Sequence, residues 1–390
     1  MSRRKRISSL AASAIVMATL LGTPSASGMI ASTSDVHHWL WDAHQSVVDT
    51  TTEAAEVARR NDLVVGQEMQ YGKFLATMHS AHPGITVVAY HSGISVADTK
   101  LQWIKANHPD WLLRNRSGAL MHDSYGAYLI NPASAAVRAW HVSVEQALAA
   151  GAWDGVYLDA LGTYGLEGFG GIPVDPATGK EFTTATWLAA TRGLAIAVDA
   201  AISKPVIGNG LRDGRSYFAG TQQLLDGIQA GVFEACFRPA TLSLTRFPST
   251  DDWLLQLQAI ADVQAKGKYA ICMVKAWGTG TSAQRQQQHD YALASYLLVA
   301  GNQSYFSFSG SRTDTALNPW TIDNTGIGRP ATGMKQVGAV YERAYSTGMV
   351  VVNPSDTSQT VALGATYTSS SGRRVSGVTL AAHSGMVLKS

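Results

Sequence analysis

The stretch GAWDGVYLDALG, residues 151–162, carries the pattern on which the fold prediction depends. An Asp-Gly turn signal leads into a short apolar run, Gly155 to Asp159, which ends on an acidic residue. Short apolar runs bounded by turn residues are typical of buried parallel strands. Seven more such runs lie on either side of this one: His37 to Trp41, Leu63 to Gln67, Thr86 to His91, Pro205 to Gly210, Gly231 to Glu234, Ala270 to Ala276 and Tyr305 to Ser309.

Helical patterns separate several of these runs. The candidate helices are Thr50 to Arg60, Ala133 to Ala149, Thr183 to Ile202, Asp251 to Lys266 and Ala283 to Val299. Alternating strands and helices indicate repeated β-α units around a parallel sheet, and eight strands favour a closed barrel. The sequence therefore predicts an α/β protein with a (β/α)8 TIM barrel over residues 28–335. A doubly wound open sheet with one miscounted strand is the alternative.

Two segments depart from this repeat. About 60 residues separate the third and fourth runs, and we expect them to form an elaborated loop at the catalytic face of the barrel. After Tyr341 the chain changes to short β runs separated by Ser, Asn and Gly. This change predicts a small C-terminal antiparallel β-domain over residues 336–390. We expect it to pack on the barrel, with a binding module as the alternative.

The first 27 residues have the order of a secretory signal peptide. Basic residues Arg3 to Arg6 precede an apolar run from Leu10 to Leu21, and small residues around Ala26 offer a cleavage site. The run is shorter than the roughly 20 residues of a membrane-spanning helix. We therefore expect a secreted protein with no membrane contact after cleavage. A membrane anchor is the alternative.

Composition limits the class of partner. The chain has 390 residues, of which 46% are hydrophobic and 15% charged, so it can bury a large core. Without the four basic residues of the leader, 26 basic and 28 acidic side chains remain, and no Lys/Arg cluster occurs elsewhere. This balance argues against a nucleic acid partner.

The sequence has two cysteines, Cys236 and Cys272, each in or beside an apolar strand-like run. Buried thiols in such runs behave as small hydrophobic groups, and we expect that role for both. Export also permits a disulfide between them.

Two of the predicted strands end on a carboxylic acid, Asp159 on the fourth and Glu234 on the sixth. Burying an isolated carboxylate is costly, and the reactive groups of a TIM barrel lie at the carboxyl ends of its strands. A pair of carboxylic acids facing one pocket is what glycoside hydrolysis needs. Asp159 and Glu234 are therefore the predicted catalytic pair. The alternative is that each only accepts hydrogen bonds from the backbone or from a lysine at its strand end. Asp154 is expected to be structural, using its side chain locally in a turn.

Other polar and aromatic residues close the remaining strands. Sugars are held by aromatic platforms and hydrogen-bonding groups. The candidate substrate-binding residues are Trp41, Tyr90, His91, Asn209, Lys275 and Trp277. The motifs that bind metals or phosphate are absent, so no metal site and no cofactor are predicted.

The stretches NHPDWLLRNRSGAL, YLINPASAAVRAW, GAWDGVYLDALG and DGIQAGVFEACF together resemble TIM-barrel glycoside hydrolases. This group is similar to the polygalactosaminidase family and more distantly to the α-galactosidase and α-amylase barrels. The resemblance spans roughly residues 37 to 390. It implies that Asp159 is the nucleophile, that Glu234 is the acid/base, and that the enzyme is retaining and acts on α-linked sugars.

The predicted function is thus a secreted glycosidase with a carbohydrate substrate. Two alternatives remain. A catalytically silent barrel that binds glycan would tolerate loss of either carboxylate, and a non-glycosidic hydrolase would need a Ser/His or metal arrangement, of which the sequence shows no GxSxG sign.

Overall fold

A computed structural model describes residues 36–42, 48–317, 320 and 325–390 of the chain. The predicted signal peptide, residues 1–27, lies outside the described residues. Within them, one sheet contains eight parallel strands in chain order: β1 (Trp39–Asp42), β2 (Leu63–Gly66), β3 (Thr86–Ser92), β4 (Gly155–Asp159), β5 (Val206–Asn209), β6 (Ala230–Phe233), β7 (Tyr269–Lys275) and β8 (Ser304–Ser309).

The sheet closes on itself. A parallel bridge joins His38, just before β1, to Phe306 on β8, and the backbone N–H of Phe306 donates to the carbonyl of His37 over 2.8 Å. This closure confirms the TIM barrel and excludes the open, doubly wound sheet. All eight predicted runs overlap these strands.

Side chains alternate between the two faces of each barrel strand. The interior is filled by buried residues such as Trp39, Val88 and Tyr157, while their chain neighbours pack outward. Continuing this alternation to the carboxyl ends turns Asp159 and Asn209 toward the mouth of the barrel. The interior is therefore a packed core, and the polar groups collect at one end of it.

Helices surround the sheet, and several begin at a residue that caps them. Thr50 forms a capping box with Glu53, and Ser249 accepts a hydrogen bond from the backbone N–H of Asp252. The α-helices are α1 (Thr51–Arg60), α2 (Glu68–Tyr71), α3 (Leu75–Ala81), α4 (Asp98–Asn107), α5 (Ala135–Ala150), α6 (Thr184–Asp199), α7 (Gly214–Ala219), α8 (Thr250–Ala265) and α9 (Ser282–Leu297). Short 3-10 helices are Gly72–Phe74, Pro109–Trp111, Tyr164–Leu166 and Thr221–Gly227.

The segment between β3 and β4 is folded. Besides α4 and α5 it contains a short ladder between Ser95–Val96 and Tyr128–Leu129, with an antiparallel bridge from Leu112 to Ile130. Buried apolar side chains, among them Leu101, tie the ladder to α4. A second short ladder pairs Val174–Asp175 with Lys180–Glu181 in the loop after β4.

A second sheet follows the barrel and confirms the predicted antiparallel β-domain. Its strands are β9 (Lys335–Val337), β10 (Val340–Tyr345), β11 (Gly348–Asn353), β12 (Gln359–Thr368), β13 (Arg374–Leu380) and β14 (Ser384–Lys389), in the order β9-β10-β11-β14-β12-β13.

This sheet packs on α8 and α9. The hydroxyl of Tyr345 donates to the carbonyl of Leu297 over 2.6 Å. A Cβ atom at Gly385 would lie 2.4 Å from that of Ala294, so only glycine allows β14 to approach α9 this closely.

The structure corrects the expectation for the cysteines. Cys236 and Cys272 are both fully buried, as expected, but they form a disulfide, with their Cα atoms 5.4 Å apart. The bond joins the segment after β6 to the neighbouring strand β7. Burial in an apolar run is compatible with a thiol and with a disulfide, so the pattern could not separate the two.

Candidate active site

The carboxyl ends of β4, β5, β6 and β7 bring four polar side chains together. Oδ1 of Asp159 accepts a hydrogen bond from Nδ2 of Asn209 over 2.8 Å, and Oε2 of Glu234 accepts one from the same nitrogen over 2.9 Å. The ammonium of Lys275 contacts Oε1 of Glu234. We call Asp159, Asn209, Glu234 and Lys275 the carboxylate cluster.

The shared amide limits the separation of the two acids. The same nitrogen bonds Oδ1 of Asp159 over 2.8 Å and Oε2 of Glu234 over 2.9 Å. These two oxygens are therefore no farther apart than 5.7 Å, the sum of the two contacts. Two acids from strands separated by a third are thus held at a fixed, short distance.

Each acid has further hydrogen-bond donors. Oδ2 of Asp159 accepts from the hydroxyl of Tyr90 over 2.8 Å, and Oδ1 accepts from the backbone N–H of Ala160 over 2.8 Å. Oε2 of Glu234 accepts from the hydroxyl of Tyr164. Ala160 has a φ of 59°, so the backbone adopts a strained left-handed conformation directly after Asp159.

The surroundings separate the pKa values of the two acids. Burial, and next the negative charge of Glu234, raise the pKa of Asp159 above its ordinary value. Burial alone would raise the pKa of Glu234 as well, but the charge of Lys275 and the hydrogen bonds from Lys275, Tyr164 and Asn209 lower it below its ordinary value. The site therefore shifts the two pKa values in opposite directions, upward for Asp159 and downward for Glu234.

Aromatic rings enclose Lys275. Its ammonium lies 4.9 Å from the ring centre of Trp41 and 4.8 Å from that of Trp277, while Nε1 of Trp277 donates to Oγ of Ser309 over 2.7 Å.

Burial and the neighbouring carboxylates raise the pKa values of the Tyr90 and Tyr164 hydroxyls well above the ordinary value. Both phenols are therefore neutral donors toward the acids.

A cleft of about 1440 Å³ opens above the carboxylate cluster. Its lining includes Trp41, Tyr90, Asn209, Lys275 and Trp277 together with both acids. Tyr125, from the segment between β3 and β4, also lines it and is 73% exposed. The cleft thus combines acids at its base with aromatic rings along its sides.

His91 lines the cleft, but one nitrogen of its ring contacts a helix outside the barrel. Tyr90 faces the barrel interior, so the next residue on β3 faces outward, and Nδ1 of His91 contacts Oε1 of Glu145 on α5. The ring centre of His141, also on α5, is 5.0 Å from that of His91. We call His91, His141 and Glu145 the histidine cluster. Its position outside the sheet separates it from the acids.

Asp154 has a structural role, but not the local one expected for its turn, because its Oδ2 accepts from the backbone N–H of Val87 on β3 over 2.7 Å. Sequence reasoning missed Tyr164, which contacts Glu234 from the irregular loop after β4. It also missed Arg212, which donates to Oγ1 of Thr163 over 3.1 Å and pairs with Glu167 at the same rim. The sequence offered one sign that Tyr164 and Arg212 lie near the site: each follows a strand that ends on a candidate site residue.

The barrel, with two acids at its carboxyl end and an aromatic cleft above them, has the features of a TIM-barrel glycoside hydrolase. The model of the family described as "Hypothetical glycosyl hydrolase family 15" matches residues 79–349, more than half of the chain, and the protein belongs to this family. It is a glycosidase, as the motif resemblance implied.

Solved structures share the fold. An α-amylase from Anoxybacillus has a TM-score of 0.53 at 11% identity, covering 92% of this chain and 98% of that chain. Amy13B from Eubacterium rectale has a TM-score of 0.52 at 11% identity, covering 92% and 96%. The α-galactosidase AgaA of family GH36 from Geobacillus stearothermophilus has a TM-score of 0.50 at 10% identity, covering 90% of this chain and 55% of that chain.

A search of the curated proteins returns no match. Among the described residues, no helix has the length and apolar character needed to cross a membrane.

Proposed function

We propose that the protein is a secreted, retaining glycosidase that cleaves an oligo- or polysaccharide with Asp159 and Glu234 as its catalytic pair. The observation that carries this proposal is the amide of Asn209, which donates to both acids at the carboxyl end of the barrel. An acid with only a structural role at a strand end does not need a second acid bonded to the same amide nitrogen.

The spacing of the acids supports retention. Retaining enzymes hold their carboxyl groups about 5 to 5.5 Å apart, while inverting enzymes leave about 6.5 to 9.5 Å for a water molecule. Oδ1 of Asp159 and Oε2 of Glu234, with contacts of 2.8 and 2.9 Å to one nitrogen, lie within 5.7 Å of each other, which supports the shorter spacing. In such a reaction one acid attacks the sugar to form a glycosyl-enzyme intermediate while the leaving group departs from the opposite face, and water later enters at that same opposite face.

Two role assignments are compatible with the pair. The family resemblance makes Asp159 the nucleophile and Glu234 the acid, which requires a bound sugar to move Lys275 away from Glu234. The pKa shifts favour the reverse, because Lys275 lowers the pKa of Glu234 while burial raises that of Asp159. The proposal concerns the pair, and azide rescue assigns the roles.

The cleft supports an extended sugar substrate. Its volume of about 1440 Å³ exceeds the roughly 300 to 1000 Å³ of ordinary small-molecule pockets. Trp41, Trp277 and Tyr125 offer aromatic surface at its base and rim, where the apolar faces of sugar rings can stack.

The disulfide supports export. Cys236 and Cys272 form a bond that persists in oxidising compartments and is rare in reducing ones. A signal peptide over residues 1–27 is consistent with this chemistry. N-terminal sequencing of secreted protein should find a start near residue 27, and an intact Met1 in a membrane fraction would contradict export.

The activity is tested with purified protein on a glycan panel, with release of reducing ends as the readout. Proton NMR of the first product should show the anomer of the substrate, and the opposite anomer would exclude retention. Binding without release on every glycan would indicate a silent glycan-binding barrel.

Azide added to the inactive variants assigns the roles, on an activated aryl glycoside. The variant lacking the acid/base should give a glycosyl azide of retained configuration, and the variant lacking the nucleophile should give the inverted one. Asp159→Asn and Glu234→Gln are the variants to compare. Failure of azide to rescue either variant would argue against the pair.

A further inference from the structure

The histidine cluster lies between β3 and α5, outside the barrel. His91, His141 and Glu145 are 5%, 0% and 0% exposed. His141 and Glu145 are four residues apart on α5, so both point from one face of the helix toward β3. Three side chains that bind transition metals thus converge in a buried position, on two elements that the barrel packs together.

Most polar atoms of the cluster have no hydrogen-bond partner among the described residues. Nδ1 of His91 and Oε1 of Glu145 contact each other, but Nε2 of His91, both ring nitrogens of His141 and Oε2 of Glu145 are buried and have no partner in the part of the chain that the structure describes. Buried polar groups are normally hydrogen-bonded, because leaving them unpaired costs about 1 to 3 kcal/mol each. Four such atoms in one place call for a ligand that is small and electron-accepting.

We propose that His91, His141 and Glu145 bind a zinc-class divalent transition metal ion. One ligand atom from each residue can be chosen so that all three lie within 4.8 Å of one another. A tetrahedral zinc ion, with bonds of about 2.0 to 2.2 Å, holds its ligand atoms roughly 3.5 Å apart. Small rotations of the three side chains reach that spacing, and two imidazoles with one carboxylate form a ligand set that this class of ion favours.

The charge around the cluster is mixed. Glu145 supplies one negative charge to the ion. The ammonium of Lys100 on α4 acts electrostatically on all three residues and would repel a cation. Lys100 is on the surface, so its flexible side chain can turn toward solvent. The lining of the cleft extends to His91 and to Val144 on α5, which gives an ion a path from solvent.

A metal here would join the barrel wall to its outer helix. Tyr90 precedes His91 on β3 and donates to Asp159, so fixing His91 also fixes the strand that carries this donor. The expected role is positioning and stability. The proposal does not depend on the glycosidase mechanism.

The test uses the full chain, stripped with a chelator and titrated with ZnCl2. Competition with a chromogenic zinc indicator and elemental analysis after gel filtration should give one zinc per chain. The melting temperature should rise with zinc concentration, because an ion that binds only the folded state stabilises it. Titration with Co2+ should give the visible absorption of a site with nitrogen ligands.

Glu145→Gln and His141→Gln should each lower zinc affinity at least about 100-fold, since even outer-shell changes cost about 10- to 100-fold. His79→Gln is the matched control, because this histidine pairs with Asp154 outside the cluster and should leave zinc affinity unchanged. Lys100→Met should tighten binding by removing a repelling charge.

Substoichiometric zinc in the unmodified protein would overturn the proposal, as would equal affinity in Glu145→Gln and His141→Gln or loss of zinc in His79→Gln. If the cluster variants do not fold, the Co2+ spectrum of the unmodified protein decides. Visible bands support imidazole ligation, and a spectrum identical to aqueous Co2+ contradicts it.

Discussion

The carboxylate cluster and the histidine cluster lie on opposite faces of the same barrel wall, and β3 contributes to both sides through adjacent residues. Tyr90 donates to Asp159 inside the barrel, and His91 contacts Glu145 outside it. In the carboxylate cluster both acids accept several hydrogen bonds, and Lys275 pairs with Glu234. Among the described residues, four buried polar atoms of the histidine cluster have no partner, whereas in the carboxylate cluster one, Oδ1 of Asn209, has none.

This difference shows what each site is prepared for. A network of satisfied donors holds the two acids in fixed positions before a substrate arrives, which is the preorganisation that catalysis needs. A set of unsatisfied atoms instead awaits a ligand that completes it. Variants in each cluster test whether the carboxylate cluster and the histidine cluster act independently of each other.

Replacing either acid should have the largest effect. Asp159→Asn and Glu234→Gln should each lower kcat/KM on a natural glycan by about 10² to 10⁴-fold, the usual contribution of a general acid or base. Asp154→Asn is the control, since Asp154 bonds the backbone of Val87. Full activity in both variants would show that the site lies elsewhere.

Removing the disulfide should lower stability. Cys236→Ala with Cys272→Ala frees a loop with a sequence separation of 36 residues, and the free energy of unfolding should fall by about 4 kcal/mol. Urea unfolding with and without a reducing agent measures this. The bond lies two residues after Glu234, so kcat/KM should fall as well if it braces the carboxylate cluster.

Lys275→Met should change the pH dependence of the reaction. The charge of Lys275 lowers the pKa of Glu234, so its removal raises that pKa. The limb of the kcat/KM profile that reports Glu234 should move to higher pH, whichever role Glu234 has. Lys105→Met, whose ammonium lies over the ring of Tyr128, should leave the profile in place. An unmoved limb in Lys275→Met would contradict the electrostatic role of this lysine.

The histidine cluster should have the smallest effect on turnover. In zinc-free protein, His141→Gln should leave kcat/KM essentially unchanged, because His141 lies on α5 outside the barrel wall. The same assay on Asn209→Ala provides the contrast, since that change removes the donor shared by the two acids and should reduce turnover. Equal losses in the two variants would show that the wall does not separate the clusters.

Much of this arrangement could be predicted because it follows from periodic patterns. The eight apolar runs locate the barrel strands, and the acids at the ends of two of them locate the predicted pair. Alternation along β3 also contained the signal that the side chains of Tyr90 and His91 leave opposite faces of the sheet; both residues line the cleft, but only Tyr90 bonds an acid of the carboxylate cluster. A histidine is a suitable sugar ligand by its chemistry, but the two-residue period of a strand decides which way its side chain points.

The remaining features depend on contacts that no local pattern encodes. Tyr164 reaches Glu234 from an irregular loop, and its position depends on the course of the whole segment after β4. The histidine cluster joins a strand to a helix with residues 54 positions apart. The disulfide depends on β6 and β7 being neighbours in the sheet, which follows only after the barrel is closed.

The close packing of the C-terminal sheet on α9 bears on how the chain can be divided. Tyr341, Tyr345, Val350 and Val352 belong to the same buried apolar cluster as Leu297 and Trp253 of the barrel helices. A fragment that stops before β9 would expose a broad apolar surface on α8 and α9 to water. It would also leave space unfilled where Tyr341 and Tyr345 pack. Such a fragment should collect in inclusion bodies, and fusing this sheet to another barrel should not transplant an independent unit. We therefore expect the two sheets to unfold together in one transition.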